Sequence, residues 1–149
     1  MQRKEIIMQI RNDGKLKGLK PCFIFLKQNM GKIYNEGHSD FVMSLKGDIL
    51  YFQKLSFFFH NLKPRYDFEL NIKRFVSYSI IENRLHNCLY LYDKQGNYME
   101  VCYNKGIPDT APTEININRI IKVLEEKGIK QINLDDSKSE EINNDEASE

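Results

Sequence analysis

The sequence predicts a mainly β (β+α) fold: a small antiparallel barrel of about seven strands with a C-terminal amphipathic helix. Three observations carry this. Most apolar residues of the middle of the chain alternate with polar ones at period two. The alternating runs are separated by tight-turn residues such as Lys46-Gly47-Asp48 and Asp93-Lys-Gln-Gly96. Only near the C-terminus does a convincing period of 3.6 appear, in Ile117, Ile120, Ile121 and Leu124.

Cys22-Phe-Ile-Phe-Leu26 reads as the first strand, with Asn29-Met-Gly31 as the turn after it. Phe41 to Leu45 and Ile49 to Leu55 form a hairpin about Lys46-Gly47-Asp48, and Asn61-Leu-Lys-Pro64 breaks the chain. Phe68, Leu70 and Ile72 alternate with Glu69, Asn71 and Lys73 as a half-buried strand, and Phe75 to Ile81 reads as the next.

The hairpin from Asn87 to Tyr103 can be read in register. Asp93-Lys-Gln-Gly96 suits a type I turn with Gly96 left-handed, which pairs Asp93 with Asn97. Leu91 then faces Met99 and Leu89 faces Val101 on the core side. The opposite side receives Tyr92 against Tyr98, Tyr90 against Glu100 and Cys88 against Cys102. The closing helix starts at Thr113, a good N-cap, and stops at Gly128; its single apolar stripe covers the open end of a small barrel.

The net charge of +1 over 149 residues hides an asymmetry. Residues 1–32 carry eight Lys or Arg against Glu5 and Asp13, whereas residues 134–149 carry seven acids against Lys138. The layout is a basic N-terminal segment 1–17 with a short helix on Ile6, Ile7 and Ile10, a barrel plus helix over 18–133, and an acidic tail 134–149. The tail has too few apolar side chains to offset the entropy of ordering and is expected to be disordered. It serves as a solubilising segment or competes for the basic head. No unbroken apolar run is longer than the five residues of Cys22–Leu26, so no transmembrane segment is expected. The N-terminus lacks the pattern of a secretory signal, which predicts a cytoplasmic protein, with a peripheral membrane contact left open.

Strands in hairpins followed by one helix, with Asp40-Phe-Val-Met-Ser-Leu-Lys-Gly-Asp-Ile-Leu-Tyr-Phe52 and then Phe68-Glu-Leu-Asn-Ile72 before Phe75 and Val76, are similar to bacterial pleckstrin-homology-like (PH-like, GRAM-type) domains over roughly residues 18–130. That resemblance implies a PH-like barrel acting as a non-enzymatic binding or scaffold module. The first hairpin loop, basic in lipid-binding members, is here Lys27-Gln-Asn-Met-Gly-Lys32, and the chain has no tryptophan.

Candidate sites follow. Lys20, Lys27 and Lys32 are the candidates for an anionic ligand such as a lipid headgroup. Phe57, Phe58 and Phe59, before His60, cannot all share one face of a strand. They either enter a second apolar cluster or form a partner or self-association surface. A nucleic-acid contact through the basic segment is disfavoured by the even charge of the rest of the chain. His38-x-Asp40 lacks a third ligand, and His86-x-Cys88 with Cys102 is the best metal constellation, short of the four ligands of structural zinc. The three cysteines, Cys22, Cys88 and Cys102, read as small hydrophobes, and a Cys88–Cys102 disulfide, open on geometry, is disfavoured in a reducing compartment. No nucleotide-loop, hydrolase or metalloprotease motif occurs, so neither a catalytic set nor a cofactor is expected. The reading is a module that contacts a protein partner, itself or an anionic membrane. The alternatives are a nucleic-acid-contacting protein and, third, a small metal-binding enzyme.

Overall fold

The computed structural model describes residues 18–35, 39–56, 62–105 and 113–133, and of the preceding segment only Glu5 and Met8. The helix expected at the N-terminus, His38, Phe57 to His60 and the acidic tail lie largely or wholly outside these residues.

Among the described residues nine strands form one sheet: β1 (Cys22–Asn29), β2 (Lys32–Ile33), β3 (Asp40–Lys46), β4 (Ile49–Lys54), β5 (Phe68–Asn71), β6 (Phe75–Glu82), β7 (His86–Asp93), β8 (Tyr98–Asn104) and β9 (Lys130–Gln131). Among the described residues one long helix, α1 (Thr113–Glu126), precedes β9. Strand order is β5-β4-β3-β1-β8-β7-β6-β9, with β2 paired to β1. All pairs are antiparallel except β6 with β9.

The fold is mainly β with a C-terminal helix, as expected, but the sheet is not closed into a barrel, because its edge strands, β5 and β9, are not paired with each other. The chain nevertheless steps from β5 to β6 through one 3-10 turn, Ile72–Arg74. Across a flat sheet those strands would stand six interstrand steps of about 4.8 Å apart, or about 29 Å. Asn71 to Phe75 spans at most about 14 Å of extended chain. The sheet therefore curls until its ends approach, and one face becomes the interior. Ile72 was expected on the same strand as Phe68 and Leu70; it opens the 3-10 turn instead and remains fully buried.

The two-residue β1–β2 turn has Met30 at φ 51° and Gly31 at φ 98°. Two successive left-handed residues are what a type I′ hairpin needs, and Met30 is the one non-glycine with positive φ among the described residues.

The β7–β8 register is the one the turn chemistry predicts, from Tyr92 against Tyr98 through Cys88 against Cys102. Gly96 sits at φ 84°. The Asp93 carboxylate accepts from the N–H of Gln95 and of Asn97, each at 2.9 Å, and Asp93 N–H donates to the Asn97 carbonyl. Leu89, Leu91, Met99 and Val101 are all fully buried.

They join Leu26, Phe41, Met43, Leu50 and Phe52 of the other strands and Ile117, Ile120, Ile121 and Leu124 of α1 in one core. Phe52 and Phe68 stack at 4.6 Å, and Phe41 meets both edge-on. A second cluster of Phe23, Val42 and Leu55, packed with Leu19, Tyr51 and Leu62, occupies the other side of the sheet.

Three polar ties seat the helix. The Thr113 hydroxyl accepts from Phe23 N–H at 3.1 Å, so this residue serves β1, and Asn116 Nδ2 donates to the Pro21 carbonyl at 2.9 Å. Tyr78 donates its hydroxyl proton to Glu125 at 2.5 Å. Just past the helix, Lys127 meets Asp48 at 3.2 Å, and Lys73 meets the same carboxylate at 3.3 Å. Those two ammonium groups, Lys127 first, hold the Asp48 carboxyl below its usual range.

Lys54 is a further departure from an apolar core. It ends β4 beside Phe41, buried, with its ammonium donating to the carbonyls of Leu55 (2.5 Å) and Asp40 (3.3 Å) and lying 5.2 Å from the Phe41 ring centre. Burial depresses its pKa, and the Asp40 carboxylate opposes that shift.

Leu91→Ala should cost about 2–5 kcal/mol, read as a lower denaturant midpoint, because it empties a fully buried site. Ile33→Ala, at a residue 73% exposed, should stay within about 0.5 kcal/mol. A second test uses pH. Burial, and then the hydrogen bond to Glu125, push the Tyr78 hydroxyl up to about 12 from 10.0. The native state then holds this proton more tightly than the unfolded chain, so the contribution is complete below pH 10 and is lost as pH rises toward about 12. Urea midpoints measured across that window should fall less steeply in Tyr78→Phe than in the wild type.

Candidate functional site: a tyrosine and cysteine face on the outer sheet

Residues on β7 and β8 that alternate with the core residues build the outer face. Their order follows from period two: His86, Cys88, Tyr90 and Tyr92 on β7, and Tyr98, Glu100 and Cys102 on β8. Strand β6 adds Ser77, Ser79 and Ile81, whose partners are Tyr92, Tyr90 and Cys88. Strand β1 adds Phe25, opposite Cys102.

A bulge between Leu26 and Gln28 leaves Lys27 as the extra residue beside Glu100. Bulges re-aim side chains, and here Lys27 Nζ lies 3.7 Å from Glu100 Oε2.

Tyr90, Tyr92 and Tyr98 form a half-buried triangle with ring centres 5.8 to 6.3 Å apart. Tyr92 shares a hydrogen bond with Ser79 at 3.1 Å. Burial, and next the Glu100 charge, push the Tyr90 hydroxyl up to about 12. Burial also raises the Tyr92 hydroxyl, against the pull of the Ser79 hydrogen bond.

Cys88 and Cys102 are joined as a disulfide, with Cα atoms 4.1 Å apart. This corrects the expectation of three unpaired thiols: directly opposed positions on adjacent strands bring the two sulfurs within bonding distance. Only Cys22 is free, and burial pushes its thiol up to about 12. Glu100 completes the group, its carboxylate 3.8 Å from the Cys102 sulfur, and donor atoms of Cys88, Glu100 and Cys102 lie within 4.8 Å of one another.

His86, the histidine expected to join the cysteines, is outside that triad. Its ring packs edge-on against Phe25 at 5.7 Å and lies 3.4 Å from the Asn83 amide. The sequence reading missed Glu100 as a ligand atom, although the spacing Glu100-x-Cys102 already placed both on one face.

Lys27 and Lys32 lie on the paired strands β1 and β2, two positions out of direct register, and Lys20 stands apart from them. Lys20 precedes β1, and Lys27 lies seven residues further along, about 23 Å of extended strand. Lys27 is paired with Glu100, and Lys32 lies 4.9 Å from the Tyr34 ring centre. Phe57, Phe58 and Phe59 are outside the described residues; the second cluster is built by Phe23, Val42 and Leu55 with Leu19, Tyr51 and Leu62. No helix among the described residues is long and apolar enough to cross a membrane.

The class of protein these features define is a curled, mainly antiparallel sheet with a covering helix and an aromatic, disulfide-bearing outer face. No family model, curated protein or solved structure matches the chain.

In protein purified without reductant, thiol titration should find no reactive group in the native state and one, Cys22, after denaturation. Reducing the Cys88–Cys102 bond, which closes a loop of sequence separation 14, should lower stability by about 3 kcal/mol on the chain-entropy account, read from urea midpoints with and without reductant.

Proposed function

We propose that the chain is a non-enzymatic binding module of PH-like type that contacts a protein surface through its outer tyrosine face. The observation that carries this reading is the half-buried triangle of Tyr90, Tyr92 and Tyr98. Tyrosine offers apolar area and a polar tip together, and it is enriched where proteins meet. The hairpin order and the helix after β8 support the PH-like reading. Lys27 already has an anionic neighbour in Glu100, so a protein contact is favoured over a membrane surface. The partner most directly tested is a second copy of the chain.

Sedimentation equilibrium over a concentration series should show reversible self-association, weakened at least tenfold in the Tyr92→Ala/Tyr98→Ala double variant. Pelleting with anionic or neutral vesicles should leave the protein in the supernatant at low and at physiological salt. A monomer at every concentration removes self-association. Pelleting with anionic vesicles that fades with salt, and is unchanged in the double variant, replaces the protein reading with a headgroup one.

A further inference from the structure

We propose that Cys88, Cys102 and Glu100, with the disulfide reduced, form a binding site for a thiophilic divalent cation of the zinc class. The proposal is independent of the partner reading, because it concerns the sulfur end of the face rather than the tyrosines.

The geometry is that of three ligands on two adjacent strands. Glu100 and Cys102 are two residues apart on β8 and so share a face, and Cys88 is the direct partner of Cys102 on β7. Their donor atoms lie within 4.8 Å of one another. Two donors on one tetrahedral zinc stand about 3.5 to 3.8 Å apart, given bonds of about 2.3 Å to sulfur and about 2.1 Å to oxygen. Side-chain rotation closes the remaining distance once the sulfurs are no longer bonded to each other. The hairpin backbone does not have to move, because the register is held from Tyr92–Tyr98 to His86–Asn104.

The chemistry of the donors selects the ion. Two thiolates and one carboxylate suit zinc or another borderline-soft cation, not magnesium or calcium, which take oxygen. Three protein donors leave a fourth position for water.

Charge also balances. Two thiolates and the Glu100 carboxylate carry three negative charges, offset by two on the ion and one on Lys27, whose ammonium lies 3.7 Å from Glu100. A neutral group is what a buried site requires. Both cysteines are buried and the Glu100 side chain is 13% exposed, so the carboxylate is the edge at which an ion would enter.

The steps are balanced. A dithiol reductant supplies two electrons and two protons to the S–S bond and leaves as its own disulfide. Binding of the cation then releases two protons, one from each thiol. Oxidation and metal binding therefore exclude one another, and the oxidised form offers the ion only Glu100.

The test titrates Co²⁺ and then Zn²⁺ into full-length protein, reduced with a phosphine and in the disulfide form, with far-UV circular dichroism recorded for each sample. The reduced wild type should take up one equivalent of Co²⁺ with a thiolate-to-metal absorption band that zinc displaces. The band should vanish in Cys88→Ser and in Cys102→Ser. Affinity should fall at least tenfold in Glu100→Gln and stay unchanged in His86→Ala. The disulfide form should give no band. Because the serine variants could lose their fold, a second readout uses the reduced wild type alone: zinc should slow maleimide labelling of Cys88 and Cys102 at least tenfold. Absence of the band, absence of this protection, equal uptake by the disulfide form, or loss of the β signal on reduction would each overturn the proposal.

Discussion

The rest of the structure depends on the short step from β5 to β6. Three residues connect strands that stand near opposite ends of the sheet order, and covalent reach forbids a flat sheet. Curling makes one face concave, and burial of Leu89, Leu91, Met99 and Val101 against the strands opposite stabilises that curvature. A curled sheet with its edges unjoined leaves apolar side chains uncovered, and the stripe of Ile117, Ile120, Ile121 and Leu124 on α1 covers them.

The polar ties gather where the curl brings distant segments together. Asp48, in the β3–β4 turn, accepts both Lys73 from the β5–β6 turn and Lys127 from the end of the helix. One carboxylate thereby ties the end of the helix to two turns that the β4–β5 ladder and the Ile72 N–H bond to the Asp48 carbonyl already link. At the other end of α1, Thr113 and Asn116 bond to the backbone at the start of β1. These are side chain to backbone bonds between elements some ninety residues apart, and they fix the start of the helix to the start of β1.

The outer face follows from the same strands. Once the core claims alternate positions of β7 and β8, the remaining positions must carry Cys88, Tyr90, Tyr92, Tyr98, Glu100 and Cys102 on the opposite side. Their neighbours are decided by pairing with β1, which brings Phe25 to Cys102 and, through its bulge, Lys27 to Glu100. The face grades from a tyrosine end to a sulfur end along a single hairpin, with Glu100 common to both.

Local chemistry by itself determined the longer strands and their turns, the register of the β7–β8 hairpin and the apolar stripe of α1, but not the two-residue strands β2 and β9 or the 3-10 turn at Ile72. In each case the cause acts within a few residues: Gly96 admits a left-handed turn, period two assigns the faces, and a 3.6 period marks the helix. The opposition of Cys88 and Cys102 was legible for the same reason. The partnership of β1 with β8, the lack of pairing between β5 and β9, the bulge at Lys27, the burial of Lys54 and the use of Thr113 by β1 were decided only by the tertiary structure. Each depends on segments far apart in the chain meeting in space, and no local pattern encodes which segments meet.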